Sequence, residues 1–275
     1  MKLIFLDIDG TILSPGKSVS PATLAAIAAA RAKGNRVFLS TGRTPTSLPE
    51  QIDPADFDGG IFSAGAVVRL GSETLLDRPM SKQLLTRITE ALEALDLYYH
   101  YETEDGAFAC DRPMMPLTEA ELARASSEVR RVLELFSRFP RKSLADYRGQ
   151  PVYKVSFRAK TVDQAEALRR SLGESANVVS FANLTGDLPF TSGEINDAAI
   201  NKGEAMDLLC RRLNCGRSDC VAFGDSMNDL EIIRSAGTGV AMGNAEPGVK
   251  AAADLICESC DEDGVAKELK RMGLT

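Results

Sequence analysis

The 275-residue chain has no tryptophan and one histidine, His100. A single imidazole rules out a histidine-rich metal centre, and a Ser-His-Asp triad or a histidine-based phosphotransfer site would have to be built on that one residue. His100 stands in the aromatic stretch Tyr98-Tyr99-His100-Tyr101 and reads as structural. Cysteine is sparse, with six residues, and only Cys257-x-x-Cys260 has metal or redox spacing. Without a second pair or nearby histidines it is not read as a zinc or redox site. No apolar run approaches the roughly 18 residues of a membrane span. The run after Lys2 stops at Asp7, too early for a signal peptide, so a cytosolic protein with no membrane partner is expected. Positive charge is also short: the net charge is −7 and the pI about 5.0, with no basic stripe. Nucleic acid is therefore not an expected partner. Internal repeats and low-complexity tracts are missing, and nothing specifies an oligomeric state.

What is present suits a globular protein with a sizeable core, at 44% hydrophobic and 26% charged residues. Residues 2–8 read as a buried strand. Ser20-Pro21 opens an alanine-rich helix that ends at Gly34, because serine caps well and proline fits the first helical position. Short buried strands follow at 36–40 and 60–63, giving βαβ grammar and a parallel sheet. The same grammar returns after residue 200: helix 201–213, strand 219–223, helix 227–236, strand 240–242, helix 247–253, strand 255–257 and helix 262–272. The middle differs. Hairpins are expected at 67–77, turning at Gly71-Ser72, and around Asp105-Gly106. Helices are expected at 118–136 and 161–172, and strands from 152 and 177. The fold class is α/β: a parallel-sheet core from residues 1–79 and 190–275, with an α+β domain of residues 80–189 inserted between. Linkers are expected near Pro79 and near Pro189 to Gly193, with a hinge around Pro79 and Ser192-Gly193.

Two motifs are near misses. Gly10-Thr-Ile-Leu-Ser-Pro-Gly16-Lys17-Ser18 has one residue too many for a P-loop, and Gly237-x-Gly239-x-x-x-Gly243 departs from the dinucleotide fingerprint. Asn183-Leu-Thr185 is a formal glycosylation sequon with no role in a cytosolic protein.

The chemistry lies where apolar strands end. Asp7-x-Asp9-Gly-Thr, Ser40-Thr41-Gly42-Arg43 and Gly224-Asp225-Ser-Met-Asn228-Asp229 each follow a strand, and Lys202-Gly203 opens a helix. Ligands of open α/β sheets bind at the carboxyl ends of strands, so the four clusters can converge. Asp7, Asp9 and Asp225 supply hard oxygen ligands suited to Mg²⁺. Thr41 offers a hydroxyl and Lys202 a compact positive charge. Together they fit a phosphoryl group and Mg²⁺. A carboxylate needs no base to act as nucleophile. A second carboxyl one residue away can protonate the leaving alcohol and later deprotonate water.

These motifs resemble the haloacid dehalogenase-like hydrolases, in particular the Cof-type phosphatases with a class II subclass B cap. The resemblance rests on DIDGT at 7–11, STGR at 40–43, NKGEAM at 201–206 and GDSMND at 224–229. AGTGVAMGNAEPGVKAAAD at 236–254 and EDGVA at 262–266 support it. It implies a Rossmann-like core and a cap that closes over the pocket, selects substrate and contacts the leaving group. It further implies Asp7 as nucleophile and Asp9 as general acid/base. Mg²⁺ would be held by Asp7, the Asp9 backbone carbonyl and Asp225, with Asp229 supporting the metal site. Thr41, Gly42, Lys202 and Asn228 would bind the phosphoryl group. One departure stands out: the chain has Ala64-Gly65-Ala66 where the family often reads Asn-Gly-Ala.

The function expected is Mg²⁺-dependent hydrolysis of a small phosphorylated metabolite, a sugar phosphate or similar, through an aspartyl-phosphate. A sugar phosphomutase would use the same intermediate and return the phosphoryl group to a sugar. A receiver-like phospho-accepting module is more remote, because it carries its acid after the third strand, where this chain has Ser63-Ala64-Gly65.

Overall fold

The computed structural model describes residues 1–14, 17–113, 141–180 and 191–275. The helix expected at 118–136 and the sequon at 183–185 lie outside these residues. The chain divides into two units, one formed by Met1–Asp77 with Ile200–Thr275 and the other by Arg78–Ala199.

In the larger unit the apolar run Leu3–Leu6 is strand β1, and all four residues are fully buried. It pairs in parallel with β2 (Arg36–Ser40) on one side and β12 (Cys220–Gly224) on the other. The two ends of the chain thus share the middle of one sheet. β3 (Gly59–Phe62) extends it in parallel, and β4 (Val67–Leu70) and β5 (Glu73–Asp77) add the expected antiparallel hairpin. β13 (Thr238–Ala241) and β14 (Leu255–Ile256) complete the other side, giving the order β14-β13-β12-β1-β2-β3-β4-β5. Such buried parallel strands need helices on both faces, which explains their near-continuous apolar runs. Helix α1 (Pro21–Ala32) begins as its sequence requires: Ser20 Oγ accepts the Thr23 N–H at 3.1 Å and Pro21 follows. Helix α4 (Lys202–Leu213) lays Ala205, Met206 and Leu209 on Leu3, Phe5 and Phe38. The Phe5 and Phe38 rings stack at 5.3 Å. Helices α5 (Leu230–Ser235), α6 (Pro247–Ala252) and α7 (Gly264–Arg271) follow. The helix expected from 227 begins as a tight 3-10 turn at Met227–Asp229, which keeps Asn228 and Asp229 beside the strand end.

The smaller unit holds a six-stranded sheet of order β10-β11-β9-β6-β7-β8. Its strands are β6 (Tyr98–Thr103), β7 (Gly106–Ala109), β8 (Arg141–Ser143), β9 (Lys154–Ala159), β10 (Ala176–Ser180) and β11 (Thr191–Asp197). Helices α2 (Lys82–Ala94) and α3 (Val162–Leu172) pack Leu84, Ile88, Leu92, Ala165 and Leu168 with Tyr99, Tyr101, Val155, Phe157 and Ile195. The second boundary falls at residue 199 rather than near 190. Of the segment read as a linker, Thr191 to Gly193 open β11, which is antiparallel to both β9 and β10. Its strand signal is weak because Ile195 is its only aliphatic residue.

Strand residues alternate between faces. The face opposite the apolar one therefore carries Tyr98, His100 and Glu102 from β6, Arg158, Ser156 and Lys154 from β9, and Ser192, Glu194 and Asn196 from β11. Tyr98, Arg158 and Ser192 lie in one row, and His100, Ser156 and Glu194 in the next. All but Glu194 are buried. Lys154 Nζ lies 2.6 Å from Glu194 and 3.2 Å from Glu102, and Ser156 Oγ donates to Glu102 at 2.5 Å. Burial works against ionising Glu102, but Lys154, His100 and Ser156 hold its carboxyl down at about 2. Among the described residues, no helix is long and apolar enough to cross a membrane.

Candidate active site

β12, β1 and β2 are adjacent and parallel, so their carboxyl ends open side by side. Asp7 follows β1, Thr41 to Arg43 follow β2 and Asp225 follows β12. The start of α4 reaches the same place. Asn201 caps this helix by accepting the Glu204 N–H at 2.8 Å, which fixes Lys202 as the first helical residue. The Lys202 side chain is fully buried, and its Nζ donates to Asp7 Oδ1 at 3.1 Å, the Ser40 carbonyl at 2.9 Å and Asp229 Oδ1 at 2.5 Å. Asn228 Oδ1 is 3.5 Å from the same nitrogen. Burial disfavours the lysine's charge, but Asp229 and Asp7 outweigh it and raise the ammonium pKa.

Asp229 spends its other oxygen on the backbone, accepting from the N–H groups of Asp225 at 3.1 Å and Ser226 at 3.3 Å. This aims the strand-end loop. Carboxylate oxygens of Asp7, Asp225 and Asp229 all lie within 4.8 Å of one another. Gly10, at φ +86°, has no Cβ where one would collide with the Asp225 carboxylate, so the loop after β1 leaves that carboxylate its place. Four carboxylates (Asp7, Asp9, Asp225 and Asp229) face two cations, Lys202 and Arg43, an excess of two negative charges among these groups. The electrostatic consequence falls on Asp7. Burial, with Asp229 and Asp9 adding to it, pushes its carboxyl up to about 7, and Lys202 offsets only part of this. A clustered set of hard oxygen donors two charges in excess fits a divalent cation such as Mg²⁺.

Asp9 lies on the other side of the site. Arg43 grips it through two bonds, Nε to Oδ2 at 2.6 Å and a terminal nitrogen to Oδ1 at 2.8 Å. This two-pronged geometry is the strong form of a carboxylate contact. The buried Thr41 hydroxyl accepts the Arg43 N–H at 3.1 Å, folding the loop on itself. Gly42 faces Asn228: a Cβ there would sit 3.6 Å from the Asn228 amide nitrogen. The structure therefore brings together Asp7, Asp225, Asp229, Lys202 and Asn228, and places Asp9, Thr41 and Gly42 on the adjoining loops. Two residues of this constellation escaped sequence reasoning. Arg43 closes the STGR motif, and nothing local in the sequence marks Asp9 as its partner. Asn244 donates to the Gly10 carbonyl at 2.9 Å and accepts the Cys260 N–H at 2.9 Å, tying the loop after β1 to the C-terminal segment.

Strand-end acids around a buried lysine, on a parallel sheet built from both ends of the chain, define an enzyme of the phosphoryl-handling α/β class. A family profile for haloacid dehalogenase-like hydrolases matches residues 4–269. The chain belongs to that family, within its Cof-type phosphatase branch. Phosphatase YwpJ of Bacillus subtilis is 28% identical over 295 residues, an alignment covering 99% of this chain and 100% of that protein. YcsE of the same organism, a 5-amino-6-(5-phospho-D-ribitylamino)uracil phosphatase, is 29% identical over 272 residues, covering 98% and 95%. Among solved structures, the subclass IIB sugar phosphatase BT4131 matches with a TM-score of 0.81 at 24% identity over 100% of both chains, a likeness of fold. A haloacid dehalogenase-like hydrolase from B. subtilis matches with a TM-score of 0.80 at 25% identity, covering 98% of this chain and 99% of that one.

Proposed function

We propose that this protein hydrolyses a small phosphorylated metabolite in a Mg²⁺-dependent reaction through an aspartyl-phosphate on Asp7. The observation that carries the reading is the Lys202 ammonium, bonded at once to Asp7, to Asp229 and to the carbonyl at the end of β2. It draws the candidate nucleophile and the ends of three strands onto one cation, a suitable seat for a phosphoryl group. Asp7, Asp225 and the Asp9 carbonyl would hold Mg²⁺, with Asp229 orienting them. The ion would supply charge to neutralise the phosphoryl oxygens and keep Asp7 ionised.

An Asp7 carboxylate oxygen attacks phosphorus as the bond to the leaving alcohol breaks, and Asp9, entering the step protonated and with one of its two Arg43 bonds given up, gives that alcohol its proton. Asp9 then takes a proton from water as the water attacks phosphorus, and the bond to Asp7 breaks to release inorganic phosphate. Lys202, Thr41, Gly42 and Asn228 bind the phosphoryl oxygens in both steps. The smaller unit, by this reading a cap, selects the leaving group. The substrate named for YcsE and the sugar phosphatase BT4131 support a small polar phosphomonoester.

The test is phosphate release from a panel of phosphorylated metabolites, with Mg²⁺ and with EDTA, beside Asp7→Asn. Release that needs Mg²⁺ and is lost in Asp7→Asn is expected. Phosphate that stays on an isomerised sugar would identify a mutase instead, and no turnover of any compound would remove the phosphatase reading.

A further inference from the structure

Between β3 and β4 the chain makes a turn with three consecutive positive φ angles: Ser63 at 50°, Ala64 at 58° and Gly65 at 116°. Serine and alanine avoid this region, which costs an L-residue with a Cβ on the order of 1–2 kcal/mol. Such strain persists where surrounding structure over-determines it. Here the surroundings are two segments of the candidate site. The Ser63 N–H donates to the Arg43 carbonyl at 2.8 Å, and the Ala64 N–H donates to the Thr41 carbonyl at 3.1 Å. Thr41 is also tied to β3, its N–H donating to the Ile61 carbonyl at 2.8 Å. On the other side Gly65 abuts the residue before Lys202: a Cβ there would lie 2.6 Å from the Asn201 carbonyl oxygen and 2.8 Å from its carbon, with Ile200 Cγ2 at 3.2 Å. The two Asn201 atoms are backbone in the cap of α4 and cannot move without moving Lys202.

We propose that the left-handed Ser63–Gly65 turn is a positioning element that sets the Thr41–Arg43 loop and Lys202 at one spacing for a phosphoryl group. It deepens the phosphatase reading and rests on it. None of the three residues touches the reacting atoms; they act through Thr41 and Lys202. The left-handed path serves both contacts. It turns two successive N–H groups toward the loop after β2, then presents a residue without a side chain to Asn201. An Ala at 65 pushes α4 off the sheet at its first turn, and the distance between Lys202 and Thr41 opens.

The test uses the full chain and inorganic phosphate as probe, in two readings. One is its inhibition constant against p-nitrophenyl phosphate hydrolysis, and the other is its dissociation constant by titration calorimetry. Gly65→Ala is compared with Gly71→Ala. Gly71 is also left-handed, at φ +55°, but a Cβ there meets nothing within 4 Å, so this control carries the conformational cost without a displacement. Gly65→Ala should weaken phosphate at least tenfold and lower kcat/KM further, while Gly71→Ala keeps wild-type constants. Because Gly65→Ala strains the fold, Ala64 provides a second pair. Ala64→Val disfavours the left-handed region and should weaken phosphate several-fold, whereas Ala64→Asn tolerates that region and should retain affinity. A folded Gly65→Ala or Ala64→Val protein with a lowered Tm but unchanged phosphate constants would overturn the positioning role, leaving the phosphatase reading intact. A wild type that neither binds phosphate nor hydrolyses a phosphomonoester would overturn both.

Discussion

Each unit buries a cluster of acids around a lysine, and the two behave in opposite ways. In the smaller unit Lys154 lies between Glu102 and Glu194, with His100 and Arg158 on the same face. There Glu102 is held down at about 2, ionised throughout the physiological range despite its burial. In the larger unit Lys202 lies between Asp7 and Asp229, with Asp9 and Asp225 adding further charge. There Asp7 is pushed up to about 7. Burial is comparable in both, so charge balance decides the sign. A balanced cluster keeps its own carboxylates ionised. An unbalanced one leaves them short of positive charge, the condition for taking up a cation.

The largest test of that contrast is Asp7→Asn. Loss of hydrolysis by on the order of 10⁴-fold or more is expected for a nucleophile. The metal-free protein should keep or gain thermal stability, because a carboxyl that resists ionising is removed. A Tm loss would break the contrast. Glu102→Gln should do the reverse within the smaller unit. It removes one partner of a buried pair and should cost about 3 kcal/mol in urea unfolding, at the low end for such a loss because Glu194 still holds Lys154. A cost below about 1 kcal/mol would place that pair with exposed ones.

The two clusters also predict opposite pH dependence. Asp7 is raised, so its contribution to metal-free stability is complete below about 3.9 and is lost as pH rises toward about 7. Glu102 is lowered, so its contribution is complete above about 4.3 and is lost as pH falls toward about 2. Added Mg²⁺ should therefore raise Tm more at pH 8 than at pH 5, a difference that Asp7→Asn diminishes. An equal shift at both values would contradict the electrostatic account. The smallest effect concerns strain. Ala64→Gly should stabilise the larger unit by up to about 1 kcal/mol in urea unfolding, by relieving a left-handed alanine. Asp96 at φ 52°, the left-handed non-glycine residue among those described in the smaller unit, should give no such gain. Aspartate tolerates the region, and its carboxylate holds Arg112 at 2.7 Å.

The larger unit was legible because its signals are local and sharp. Apolar runs stop at Asp7, Ser40 and Asp225, and a parallel sheet must bring those ends together. The pairing of Arg43 with Asp9 was not legible, since the two lie 34 residues apart and meet only when β1 and β2 align. In the smaller unit Asp105-Gly106 marked one hairpin, but β11 was hidden by its polar sequence. Its polar alternate residues form a face only because β9 runs between β6 and β11, a pairing no local pattern dictates. Register and non-local charge balance, rather than residue type, made up the missing part.

The pairing of β1 with β12 also has a consequence in time. During synthesis Asp7 emerges long before Asp225, and at the usual ~5–20 residues per second the interval is roughly ten to forty seconds. Through it the central strand of the larger sheet waits with one edge unpaired. The smaller unit is drawn from the continuous stretch Arg78–Ala199, so all of its partners emerge within that same interval. The unit proposed to select the leaving group can be complete before the acidic cluster exists, and the cluster is not assembled until β12 and the turn after it arrive.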